Sequence, residues 1–132
     1  MEVSNGEIYA SQNSLRALVK TKLPVKVSLQ VVRLAKELSE QFTIIAEVKN
    51  GLVKTYGENN KQGFPEVILP QDPTGRPASP NWGKFVVENN ELMAQTVELN
   101  IEKIRLPSEV DGKPLNIEPS ILIDLEKFIE VV

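Results

Sequence analysis

The chain has 132 residues, a formal net charge of −3, no cysteine and no histidine. That length points to a single domain. The two missing residue types exclude a disulfide framework, zinc sites built from Cys and His, and nucleophiles activated by imidazole. The acidic balance gives no support to a nucleic-acid binder that works through phosphate contacts.

The chain begins without a basic-then-apolar leader, and it has no apolar run near the ~18 residues of a membrane span. A soluble protein, intracellular at synthesis, is therefore expected. Charge is uneven: residues 1–57 carry eight Lys/Arg and five Asp/Glu, a net of +3, and residues 58–132 carry seven and thirteen, a net of −6. Either the two halves pack together and neutralise each other, or a basic rod docks on an acidic partner.

In chain order, Ser4-Asn5-Gly6-Glu7 has the pattern of a capping box, in which the Ser hydroxyl and the Glu carboxylate satisfy each other's amides. A helix over 4–21 follows, with Ile8, Leu15, Leu18 and Val19 on one face. Leu23-Pro24 breaks it, and Pro24 is well placed to open the next helix.

That next helix, from Pro24 to Tyr56, is the rod around which the rest is arranged. Val27, Val31, Leu34, Leu38, Ile45, Val48 and Leu52 recur at threes and fours, Tyr56 closes the row, and Phe42 stands beside the one polar gap at Gln41. Such spacing is one helical stripe, and a helix of about 33 residues is roughly 50 Å long. Two arrangements answer the stripe: an intramolecular bundle, or pairing with a second copy. The neighbouring helices are too short to cover so long a rod, which favours a homo-oligomer. Gly57 suits a left-handed residue past the helix end. Gly51 lies inside the helix at a cost of up to about 1 kcal/mol relative to Ala.

Residues 58–79 form a Pro-rich arm inserted between helices. A short strand is expected at 66–69, and Asp72-Pro73-Thr74-Gly75 has the form of a type I turn. Phe64 and Trp82 lie near this loop material and are candidate contact residues, Trp82 alternatively being a cover for the core at the loop base. Ser79-Pro80 reads as N-cap and first residue of a third helix to about Ala94, with Trp82, Phe85, Val86, Asn89, Leu92 and Met93 on its inner face. From Thr96 the period changes to two, with Val97, Leu99 and Ile101 alternating with polar residues, which is a half-buried strand. Ile104 and Leu106 resume it in the other phase, so a bulge is expected at 102–103. Pro107 to Pro114 is a turn, Leu115-Asn116-Ile117 a short partner strand, and Glu118-Pro119-Ser120 opens a last helix with Ile121, Leu122, Leu125, Phe128 and Ile129 inward.

The fold class expected is α+β, mostly helical, a long helical hairpin or small bundle with a two-stranded β element and a C-terminal helix, all in one domain over 1–132. Glu37/Glu40, Glu88/Glu91 and Glu98/Glu102 are spaced so that each pair could share a proton or a hard cation. Such pairs are ordinarily a solvated face. No catalytic residue, cofactor or metal is expected.

The words Leu23-Pro24-Val25-Lys26-Val27-Ser28, Leu52-Val53-Lys54-Thr55-Tyr56-Gly57-Glu58, Asn89-Asn90-Glu91-Leu92, Thr96-Val97-Glu98-Leu99-Asn100-Ile101-Glu102-Lys103-Ile104 and Ile117-Glu118-Pro119-Ser120-Ile121-Leu122 stand in an order that resembles a group of small proteins of tailed bacteriophages and prophages. The likeness spans about residues 20–132. It implies a viral accessory protein with a structural, assembly or host-interaction role, in the host cytoplasm or the virion, and it carries no functional residue with it. The expected function is a non-enzymatic accessory protein that self-associates through Val27, Val31, Leu34, Leu38, Phe42, Ile45, Val48 and Leu52. The alternative is a protein that binds and redirects a host protein through the Pro-rich arm with Phe64, through Trp82 and through the acidic C-terminal half.

Overall fold

The computed structural model describes residues 1–132. Its elements are β1 (Glu2–Ser4), α1 (Asn5–Ala10), α2 (Gln12–Val19), α3 (Val25–Tyr56), β2 (Glu58–Asn59), β3 (Pro65–Glu66), α4 (Trp82–Ala94), β4 (Thr96–Glu98), β5 (Ile104–Leu106), β6 (Glu109–Val110), β7 (Lys113–Pro114), α5 (Pro119–Asp124) and β8 (Ile129–Val131). The fold is α+β and dominated by α3, as the sequence predicts.

The capping box forms as read: the Glu7 amide donates to Ser4 Oγ at 3.1 Å, and the Ser4 amide donates to Glu7 Oε1 at 3.0 Å. The expected single helix over 4–21 is two helices. Ser11 lies between them, wholly buried, and its hydroxyl donates to the Ile8 carbonyl, a bond within the backbone turn that competes with helix continuation. Val19, expected on the inner face, is 46% exposed. β1 is not legible in the sequence: Glu2, Val3 and the cap residue Ser4 itself pair antiparallel with β4, Val3 opposite Val97, and Val3 is fully buried.

α3 ends where expected, but Gly57 is extended at φ −96° rather than left-handed. Its need is steric. A Cβ there would lie 2.5 Å from both the Glu66 and the Val53 carbonyl oxygens. The arm leaves α3 as the hairpin β2–β3, pairing Glu58 with Glu66 and Asn59 with Pro65, so the expected strand at 66–69 begins earlier and is shorter. The turn at 72–75 closes through the Gly75 amide to the Asp72 carbonyl at 2.9 Å. Ser79 does not cap α4. It is buried, and its hydroxyl instead accepts the Ile68 amide at 2.8 Å, which ties the arm's base down. α4 then leads back toward α1, where the Asn5 side-chain amide donates to the Leu92 carbonyl at 2.9 Å.

The C-terminal third differs most from expectation. β4 and β5 belong to different sheets, because the phase change at 102–103 is a crossing between partners and not a bulge. β5 pairs parallel with β8, Ile104 opposite Ile129. The last helix stops at Asp124, so Phe128 and Ile129 are buried from a turn and a strand. The hairpin is β6–β7, with Asp111 and Gly112 at positive φ in its turn, and Leu115–Ile117 is not its partner strand. The φ > 0 pair at the tip is the geometry that an Asp-Gly turn favours.

One cluster of sixteen buried apolar residues joins these parts, from Val3 and Ile8 through Leu38 and Ile45 to Leu125 and Phe128.

Candidate interaction surface

Periodicity divides α3 into an inner and an outer face. The inner face holds Val31, Leu34, Leu38 and Ile45, each 2% exposed or less, with Val27, Phe42 and Leu52 packed beside them. These seven were candidate interface residues. They are filled from within the chain, because α1, α2, α4 and β5 all pack against the rod. Several short elements together cover what no single short helix could. Phe42 stacks on Tyr9 with ring centroids 5.3 Å apart, and the Lys49 ammonium sits 4.5 Å from the Tyr9 ring centroid, a favourable position for a cation over a π face. Tyr56 donates its hydroxyl to Glu88 Oε1 at 2.9 Å, and that carboxylate raises the Tyr56 pKa.

Val48 differs from the other stripe residues: it is 46% exposed. A step further round the helix, the outer face carries a second apolar row. Val25, Leu29, Val32 and Ile44 are all more than half exposed. Beside Val32 the row opens into a groove between α2 and α3 with a volume of about 490 Å³. Its lining includes the apolar Leu15, Val19 and Phe42 and the basic Arg16, Lys20 and Lys36. The signal for this surface was present in the sequence, since Val25, Leu29 and Val32 are themselves spaced by four and three. The stronger inner stripe masked it.

The two remaining candidates lie apart from α3's outer face. Phe64 is 68% exposed next to the arm's hairpin, and Trp82 is 38% exposed at the start of α4. The arm between them is held by Arg76. Its guanidinium donates to Glu66 Oε1 at 2.9 Å and Oε2 at 3.1 Å, and to Asp72 Oδ2 at 3.1 Å. Thr74 donates its hydroxyl to the same Asp72 carboxylate. Arg76 foremost, then Thr74, holds the Asp72 carboxyl well below the usual carboxylate range. The Glu66 pKa is lowered by the same guanidinium.

The carboxylate pairs noted in sequence do not gather: no group of three or more acidic side chains is close enough to hold a metal ion. No helix is long and apolar enough to cross a membrane. Compared with known proteins, the chain matches no family model, no curated protein and no solved structure.

Proposed function

We propose that this chain is a non-enzymatic accessory protein of a bacteriophage or prophage that self-associates through its long helix and serves a structural or assembly role. The observation that carries this reading is the outer face of α3, where Val25, Leu29, Val32 and Ile44 stand more than half exposed along one side of a 32-residue helix. Scattered single apolar residues on a surface are ordinary, whereas a row aligned along one helix is suited to burial against another molecule. The viral origin rests on the resemblance in the ordering of short sequence words. The test is solution mass by light scattering over a hundredfold range of concentration. Self-association gives a mass that rises to a defined multiple of 14.7 kDa. A constant monomer mass contradicts it.

A second reading is favoured by the arm. Phe64 is exposed at the end of a hairpin loop whose Gln62 and Phe64 amides donate to Asn60 Oδ1, and the arm beyond it is tied by Arg76 to Glu66 and by Ser79 to the Ile68 amide. A rigid arm carrying an exposed aromatic residue suits capture of a host protein, because little order is lost on binding. In that case a purified monomer retrieves a defined host protein, and deletion of 64–79 abolishes retrieval.

A further inference from the structure

The outer face of α3 includes Val25, Leu29, Val32, Lys36, Glu40, Ile44, Glu47 and Gly51, all eight exposed. At 100° per residue they fall within one arc of the helix, on the side opposite Leu34, Leu38 and Ile45. Its charges are segregated. Residues 25–36 carry Lys26, Arg33 and Lys36 and no acid; residues 37–48 carry Glu37, Glu40 and Glu47 and no base. None of these six takes part in an ion pair within the chain. The helix itself does not call for this order, since a cation in the first turn opposes the helix dipole. Nor does the chain's own packing require Gly51, where an added Cβ would meet no heavy atom within 4 Å.

We propose that two copies of this chain pair their α3 outer faces antiparallel about a two-fold axis at the level of residue 38. This rests on the self-association reading above and specifies its geometry. In that register Lys36 faces Glu40 of the second copy, Val32 faces Ile44, Leu29 faces the stem of Glu47, and Val25 faces the open backbone at Gly51. Each contact occurs twice, as an isologous interface requires. Antiparallel pairing sets the basic half of one helix against the acidic half of the other. Parallel pairing sets Lys36 on Lys36 and Glu40 on Glu40, a like-charge arrangement that selects against it. A second copy is the occupant because the face is complementary to itself when reversed.

The experiment uses the full chain, whose lack of cysteine makes disulfide trapping clean. Val32→Cys with Ile44→Cys in the same chain is oxidised and run without reductant. Positions 32 and 44 lie about 18 Å apart along one helix, too far to bridge within a copy. The expected product is a covalent dimer, absent from either single-cysteine variant. In parallel, Lys36→Glu and Glu40→Lys are each expected to weaken the dimer by about tenfold or more. The double variant, with the charges exchanged, is expected to restore it. A light-scattering dimer that neither cross-links at 32–44 nor is rescued by the exchange overturns the antiparallel register and leaves self-association standing. A monomer at all concentrations overturns both.

Discussion

Leu38 and Gly57 show two ways in which one residue holds this fold. Leu38 is fully buried on the inner face of α3, so Leu38→Ala is expected to cost about 2–5 kcal/mol from lost transfer energy and the cavity left behind, read as a shift in a urea midpoint. Gly57→Ala places a methyl group against two backbone carbonyl oxygens that cannot swing away. About 1–3 kcal/mol of destabilisation is expected, with amide exchange accelerating first in β2–β3.

Glu7 gives a pH dependence whose sign follows from its partners. The Ser4 amide, assisted by Lys127, lowers its pKa below the ordinary 4.5. A group depressed in the folded state stabilises the fold above its unfolded value, and that contribution is lost as pH falls through the folded value. Wild-type stability is therefore expected to decline below about pH 4.5 more steeply than that of Glu7→Gln, measured by thermal melts at a series of pH values. Asp72 follows the same sign within the arm. Asp72→Asn is expected to loosen residues 72–76, seen as faster exchange of the Gly75 and Arg76 amides, with the global melting temperature little changed because the network is at the surface.

Among the elements, those with a long periodic signal were legible and those made by distant pairing were not. α3 repeats its stripe over nine turns, and its bounds are met to within a residue. The break at Ser11 turns on side-chain bonds from Ser11 and Gln12 to the Ile8 carbonyl, which periodicity does not report. β1 and β8 each have three residues, too few for an alternation to declare itself, and each becomes a strand only because a partner about a hundred or twenty-five positions away supplies the ladder. The run Ile121, Leu122, Leu125, Phe128 and Ile129 fits one helical face, yet it changes element after Asp124. Pairing with β5 outweighs one further helical turn. Phe128, 1% exposed at that junction, anchors both sides. Phe128→Ala is expected to remove about 3–5 kcal/mol, a large share of the roughly 5–15 kcal/mol available to a domain, and circular dichroism against urea reads it directly.

For the whole molecule, the inner stripe and the outer row divide the work of the rod. The inner stripe, the stronger signal, makes the core of a single chain. The weaker row of Val25, Leu29, Val32 and Ile44 is what remains for another molecule. A sequence records both as apolar spacing and does not say which face the short elements take. Only the placement of α1, α2, α4 and β5 along α3 separates them. The most direct measurement compares the solution mass of the wild-type chain with that of Leu29→Asp at equal concentration. Leu29 is 53% exposed, so the substitution leaves the core untouched. The account predicts a wild-type dimer at twice 14.7 kDa and a folded Leu29→Asp monomer. A Leu29→Asp variant that keeps the wild-type dimer mass, or a wild-type chain that stays monomeric throughout, contradicts it.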